Sequence, residues 1–243
     1  MRVRILPSLL FALMVAFAVR ADAQSDLVVV ELFTSQGCSS CPPAEQYLGE
    51  LALRDDVLAL EYHVDYWDYI GWKDEFAQAA FTQRQRRYSR RLGSRYVYTP
   101  QIVIGGAAHE VGSNRVAVEN QMVKQRRERE NAHMAPHVAL QHVDGRLLIT
   151  VEGQTTSAYD ILLATFDGSH ETKVTRGENA GRTLVNSNVV RTLDVVGEWR
   201  GGPMQLELSL SDLPGDAGCA ILLQEPDGGR IVAAGRLMFN HGG

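Results

Sequence analysis

Two cysteines two residues apart, Cys38 and Cys41, stand between the run Leu27-Val28-Val29-Val30-Glu31-Leu32-Phe33 and the pair Pro42-Pro43. This arrangement constrains the fold more than any other feature of the chain. The apolar, β-branched run suits a strand buried on both faces. Proline fits a helix only in the first turn, where its missing N–H has no partner to lose, so a helix must begin at the prolines. Ala44, Tyr47, Leu48 and Leu51 then recur at helical spacing on one face, and Ser40 is the expected N-cap. A cysteine at such a helix start meets the positive end of the dipole, which favours the nucleophilic thiolate. Two residues of separation bring the second sulfur within bonding reach, so Cys38 can attack a partner disulfide and Cys41 can resolve the mixed disulfide. A purely structural Cys38–Cys41 disulfide is the plainer alternative, but so small a loop removes little unfolded-state entropy. Half of a zinc site is another, and it needs two more ligands. Cys219 lies in the other half, and His63 and His109 lack ligand-pair spacing.

The first half alternates strand and helix, as α/β chains do. A strand is expected over residues 57–64, a helix over 76–92, a strand over 101–104 and a helix over 113–131, the last with Val116, Val118, Met122 and Val123 as its apolar positions. After Ala135-Pro136 the character changes to short strands separated by turn signals at Asp144-Gly145, Asp167-Gly168 and Asp227-Gly228-Gly229. Strands are expected over 138–142, 147–151, 161–166, 189–196, 205–210, 220–224 and 231–239, which suggests an antiparallel β-sandwich or barrel. The reading is an α/β domain over 24–134 and a β-rich, sandwich-like domain over 135–243.

Residues 1–23 read as an export signal: Arg2 and Arg4, an apolar run over 8–19, then the small-x-small pattern Ala21-Asp22-Ala23. The run is too short to span a bilayer, which needs roughly 20 residues. The mature chain is therefore expected in the periplasm or outside the cell, and not membrane-spanning. A net charge of −5 gives no field that would draw it to nucleic acid or anionic lipid. Three cysteines are too few for a disulfide-stapled scaffold.

Thr99-Pro100 precedes the strand Gln101–Ile104. Proline cannot donate to a β-ladder, and a cis X-Pro bond would account for its place there. With a strand, CxxC and helix ahead of it, and Gly105-Gly106 and a helix behind, this half resembles the thioredoxin fold. The resemblance implies that Pro100 is the active-site cis-proline, that Thr99 and Pro100 bind substrate, and that Cys38 attacks and Cys41 resolves. It also implies a buried acid that serves the second cysteine; Glu31, one residue further upstream than the pattern, is the candidate, a strand-edge glutamate facing water being the alternative. His63 is a second proton-transfer candidate. Gly37 stands where thioredoxins carry tryptophan. The whole mature chain is similar to a family of secreted bacterial proteins of unknown function (domain-of-unknown-function family 1223), thioredoxin-like with a β-rich second half. The residues carrying this are 31–44, His63-Val64-Asp65-Tyr66-Trp67-Asp68, Gly71-Trp72, Tyr98-Thr99-Pro100-Gln101 and 176–182. That family supplies a fold and no reaction.

His63, Asp65, Trp67, Asp68, Trp72 and Asp74 follow the second strand, at the end where α/β sheets place ligands. Trp67 and Trp72 are candidates for a substrate-recognition wall, or for packing between domains; His63 with Asp65 could form a weak metal site. Arg84, Arg87 and Arg91, with Arg86 and Arg90, read as a solvated helix face. Cys219, before Ala220-Ile221-Leu222-Leu223, reads as a buried small apolar residue. The glycine-rich loop 176–182 lacks phosphate-loop spacing; one expectation is that it folds back over the CxxC face. The function expected is an exported thiol–disulfide oxidoreductase acting on protein or small-molecule disulfides, with no cofactor beyond its cysteine pair. The alternatives are a copper-handling module using the same thiols, and a binding protein on a thioredoxin scaffold without catalysis.

Overall fold

The computed structural model describes residues 27–132, 135–211 and 213–239; the expected export signal lies outside these residues. The elements are β1 (Val28–Thr34), α1 (Pro42–Ala52), β2 (Val57–His63), a 3-10 turn (Asp68–Ile70), α2 (Ala79–Arg91), β3 (Gln101–Ile104), β4 (Ala108–Val111) and α3 (Arg115–Glu130). They continue with β5 (His137–Val143), β6 (Arg146–Glu152), β7 (Tyr159–Lys173), β8 (Thr183–Trp199), β9 (Met204–Ser209), β10 (Gly218–Gln224) and β11 (Ile231–Met238).

Among the described residues the strands form a mixed eight-stranded sheet, ordered β11-β10-β7-β8-β2-β1-β3-β4, and a three-stranded sheet, β5-β6-β9. β1 and β2 run parallel, joined by α1, and β3 returns antiparallel to β1. The strands of the second half extend this same sheet through one parallel pairing of β2 with β8, Glu61 opposite Val189.

Side-chain alternation along β1 sorts the core. Val28, Val30 and Leu32 pack under α1 against Ala44, Leu48 and Leu51, and against Val118 and Met122 of α3. Val29 and Phe33 point the other way, onto Phe81 and Tyr88 of α2. Each fully buried leucine here contributes about 2 kcal/mol of transfer free energy. The small sheet covers the far end: Val138, Leu147, Ile149 and Val151 pack on Ile161, Leu163, Ile221, Leu223 and Trp199.

Several expectations are corrected. Cys41, not Ser40, occupies the N-cap of α1, with the prolines in the first turn and no side-chain cap. On α3 only Val118 and Met122 are buried; Val116 and Val123 are exposed, because the helix shows the sheet a narrow stripe. β4 lies where no strand was expected, as a short edge strand paired with β3. Asp167-Gly168 is not a turn: β7 and β8 form one long hairpin, the ladder skips Gly168, and its N–H goes to Asp216 Oδ1 (2.9 Å). Among the described residues no helix is long and apolar enough to cross a membrane.

Candidate functional site

Cys38 and Cys41 form a disulfide with Cα atoms 5.5 Å apart. The turn that presents them is held by its own backbone. The Cys38 N–H donates to the Ser35 carbonyl (3.0 Å), and the Cys41 N–H to the Cys38 carbonyl (3.2 Å). Both cysteines are buried, Cys38 at 1% exposure and Cys41 at 0%, while Ser39 and Ser40 between them face solvent. Ser40 Oγ lies 3.3 Å from Cys38 Sγ.

The Thr99–Pro100 peptide is cis. The loop before β3 reaches the cysteine turn from two directions. Trp67 Nε1 donates to Thr99 Oγ1 (2.8 Å), and a methyl group built on Gly37 would lie 3.2 Å from Trp67 Cβ. Gly112 donates its N–H to the Pro100 carbonyl (2.9 Å). A methyl on Gly112 would fall 2.9 Å from Ala44 Cβ and 3.2 Å from Pro100 Cβ, so only glycine lets Pro100 approach α1 this closely. Trp67 thus joins Gly37 to Thr99, while Pro100 sits across Gly112 from Ala44. Trp72 joins from the other side, its Nε1 donating to Gln36 Oε1 (3.0 Å). Both tryptophans are half-buried.

Beneath the turn lies a set of buried polar groups. β1 and β2 pair with Leu32 opposite Glu61 and Thr34 opposite His63, which puts Thr34, Glu61 and His63 on the α1 face. Glu45 sits one helical turn beyond Cys41 on the buried face of α1. It accepts a hydrogen bond from Thr34 Oγ1 (2.7 Å). Burial, reinforced by the negative charge of Glu61, pushes the Glu45 carboxyl up to about 8 against the weaker opposing pulls of Thr34 and His63. Burial alone would lower His63, but Asp74 at 2.7 Å and Glu61 at 3.5 Å carry it up to about 10. At 3.5 Å the Glu61 contact is ionic, too long for a good hydrogen bond, and His63 Nε2 has no hydrogen-bond partner. Asp74, also accepting from the Gln36 N–H (2.8 Å), is held below the ordinary carboxylate range by His63 despite its burial.

Glu31 is not brought to the cysteines. Odd positions of β1 face α2, and Glu31 pairs there with Arg84 (2.8 Å) and accepts from Tyr88. Arg84 also donates to Gln224 Oε1 (3.1 Å) and is buried, so it is not part of a solvated face. His63 and Asp65 are likewise separate: Asp65 accepts from Thr82 Oγ1 (2.6 Å) instead of sharing a ligand site with the histidine. Among the described residues no group of three or more His, Cys, Asp or Glu side chains is placed to hold a metal ion. Cys219 is a buried free thiol in the far core.

The loop 176–182, between β7 and β8, does fold onto the cysteine turn. Asn179 Nδ2 donates to the carbonyls of both Gln36 (2.9 Å) and Cys38 (3.0 Å). Ser39 Oγ donates to Glu178 Oε2 (2.7 Å). Sequence reasoning missed Glu45 and Asn179. The signal for Glu45 was its four-residue spacing from Cys41; for Asn179 the sequence marked the 176–182 loop as one that folds back over the CxxC face, but not Asn179 as the residue that reaches it.

A model of a family described as a protein of unknown function (DUF1223) matches residues 29–224. The crystal structure of protein AGR_C_4864 from Agrobacterium tumefaciens is similar to this chain, with 32% sequence identity and a TM-score of 0.78, covering 91% of this chain and 96% of that one. Comparison with curated proteins finds no match.

Proposed function

The chain belongs to this family of proteins of unknown function, so its activity has to be read from its own site, and we propose that it is an exported thiol–disulfide oxidoreductase of thioredoxin-like fold. The carrying observation is the Cys38–Cys41 disulfide at the start of α1, together with a cis Thr99–Pro100 peptide that is linked to α1 through Gly112, which fits between Pro100 and Ala44, and to Gly37 through Trp67. The parallel β1–α1–β2 unit continued by antiparallel β3, β4 and α3 supports the thioredoxin-like reading of residues 24–134. The packing of the small sheet on β7 and β10 supports a sandwich-like reading of 135–243. The pattern of residues 1–23 supports export to the periplasm or beyond.

In the reduced protein, the Cys38 thiolate attacks a partner disulfide, forming a mixed disulfide and releasing one partner thiolate. Cys41 then attacks Cys38 Sγ; the Cys38–Cys41 disulfide forms and the second partner thiolate leaves, so two electrons pass to the partner. With a partner dithiol the same steps run in reverse. Thr99 and Pro100, with Trp67 and Trp72 on the rim, are the substrate-contacting residues. Glu45, with His63 behind it, takes the proton-transfer role that the resemblance gave to Glu31, because Glu45 shares the buried face of α1 with Cys41 and Glu31 does not.

Equilibration of the mature protein in glutathione buffers, with Cys38 and Cys41 thiols counted by alkylation mass, tests the reading. A reversible two-electron transition between about −270 and −120 mV is expected. Cys38→Ala should abolish exchange, and Cys41→Ala should accumulate mixed disulfides. A pair that never cycles over this range overturns the assignment.

A further inference from the structure

A disulfide that trades with other proteins has to be reached by their sulfurs, yet both cysteines here are at or below 1% exposure. Ser39 and Ser40, between them, are open to solvent, so the turn reaches the surface while its sulfurs do not. One of the groups closing over it comes from the opposite half of the chain. The carboxamide of Asn179, itself 1% exposed, spends both its N–H groups on the cysteine turn: one on the Gln36 carbonyl, one on that of Cys38. Its oxygen is held by Arg182 Nη1 (3.1 Å), which fixes the orientation of the amide. Ser39 ties the neighbouring Glu178 down as well.

The loop is anchored at its base and lies against Trp72 at Gly177, where an added methyl would fall 3.2 Å from Trp72 Cβ. Val174 is buried and anchors its base, where Val174 and Arg182 pair and the Gly181 N–H returns to the Val174 carbonyl (2.8 Å). Gly177 and Gly181 flank Glu178-Asn179-Ala180 with φ of 74° and 83°, a region glycine occupies without strain. Between these two points the loop meets the cysteine turn through side chains, whose contacts can break without unravelling either strand. Gln36, by contrast, is tied on three further sides, to Asp74, Thr172 and Trp72, so the cysteine turn itself is the fixed partner.

The geometry points to Asn179 as a specificity-determining residue: it latches the 176–182 loop over Cys38 and so decides whether a protein-sized thiol, as opposed to a small one, reaches the disulfide. The inference rests on the thiol–disulfide reading of the site. The attack it controls is that of a partner thiolate on Cys38 Sγ, which forms a mixed disulfide and releases the Cys41 thiolate; a second partner thiol then displaces Cys38, leaving the partner oxidised and the pair reduced. A small thiol needs only a transient opening around one sulfur. A thiol carried on a polypeptide has to bring its flanking backbone into the space the loop occupies.

The test compares reduction of the oxidised full mature protein by dithiothreitol and by reduced, unfolded ribonuclease, at matched thiol concentration and with quenched alkylation as the readout. Asn179→Ala removes two amide hydrogen bonds from the closed state, which raises the open population by roughly 30-fold. The rate with the protein thiol should rise by about that factor, and the ratio of protein to dithiothreitol rates by at least about tenfold. A residue that merely positioned the cysteine turn would slow both reductants together. Should Asn179→Ala fold poorly, Arg182→Ala frees the same amide from a solvent-exposed position and should raise the ratio in the same direction. An unchanged or lowered ratio in the folded variants overturns the latch. A disulfide that dithiothreitol reduces with the expected size selection, but that never cycles in glutathione buffers, overturns the oxidoreductase reading and leaves the latch standing.

Discussion

Replacing Glu45 by glutamine should stabilise the protein at neutral pH and do nothing at pH 4.5. The carboxyl titrates at about 8 in the fold against an ordinary 4.5, driven first by burial and then by Glu61. Because the folded value is raised, the native state holds a proton that the unfolded chain releases between these two pH values. Stability attributable to Glu45 is therefore undiminished below pH 4.5, falls as pH rises from 4.5 to 8, and levels off above that. At pH 7 the penalty is the span from 4.5 to 7 at about 1.4 kcal/mol per unit, or about 3 kcal/mol. Glutamine is neutral at every pH and keeps an oxygen to accept from Thr34, so Glu45→Gln removes the penalty and little else. Urea unfolding of the two oxidised proteins at pH 4.5, 6, 7 and 8 measures it. With a slope of about 3 kcal/mol/M the midpoints should coincide at pH 4.5 and differ by on the order of 1 M at pH 7, with the variant the more stable. A pH-independent gap, or a variant less stable at pH 7, would refute the placement of a neutral carboxyl under the cysteine turn.

Arg84→Met leaves Glu31 buried without its cation and should cost about 3–5 kcal/mol, seen by calorimetry as a melting temperature lower by roughly 10 °C; no change would show that Glu31 is hydrated. Gly112→Ala drives a methyl against Ala44 and Pro100. It should cost about 1–3 kcal/mol and slow glutathione exchange at Cys38, and a normal exchange rate would count against Pro100 as part of the substrate site. Burial pushes the Cys219 thiol up to about 12, so it should resist iodoacetamide at pH 8 in the native protein and react only on unfolding. Cys219→Ala should leave the exchange rate unchanged.

The parts of the site written in short stretches of sequence were legible from them. The prolines set the start of α1, the apolar run set β1, and Thr99-Pro100 marked the loop that docks beside the cysteines. Glu45 was overlooked because a glutamate in a first helical turn is ordinarily a surface residue favoured by the dipole; only its register with Cys41 betrays that it points inward. The resemblance points Glu31 at the second cysteine, but the alternation of Val30, Glu31 and Leu32 sends it the other way: Leu32 faces α1, so Glu31 faces α2 and pairs with Arg84. Asp167-Gly168 read as a turn because that dipeptide favours one. In the fold Asp167 instead holds His170 (2.8 Å) and Arg191 (3.2 Å), and the strand carries on. Asn179 lies 141 residues from Cys38; the glycine-rich 176–182 stretch marked its loop, but no local pattern identifies which of its residues spans that distance.

The pairing of β2 with β8 has a consequence in time. Glu61 of β2 is satisfied by Asn186 Nδ2 (2.8 Å) and the Ser187 N–H (2.7 Å), and the Ala59 carbonyl by Asn188 Nδ2 (2.9 Å). All three donors come from β8, far along the chain. As the polypeptide emerges amino terminus first, the strands and helix around the cysteines are all present long before β8 arrives. Throughout that interval β2 is an open edge whose Glu61 has His63 nearby but none of its β8 donors, the kind of edge on which nascent chains pair with each other. The half that carries the Cys38–Cys41 pair is therefore finished by the other half, and the 176–182 loop reaches the cysteine turn only as the β7–β8 hairpin closes.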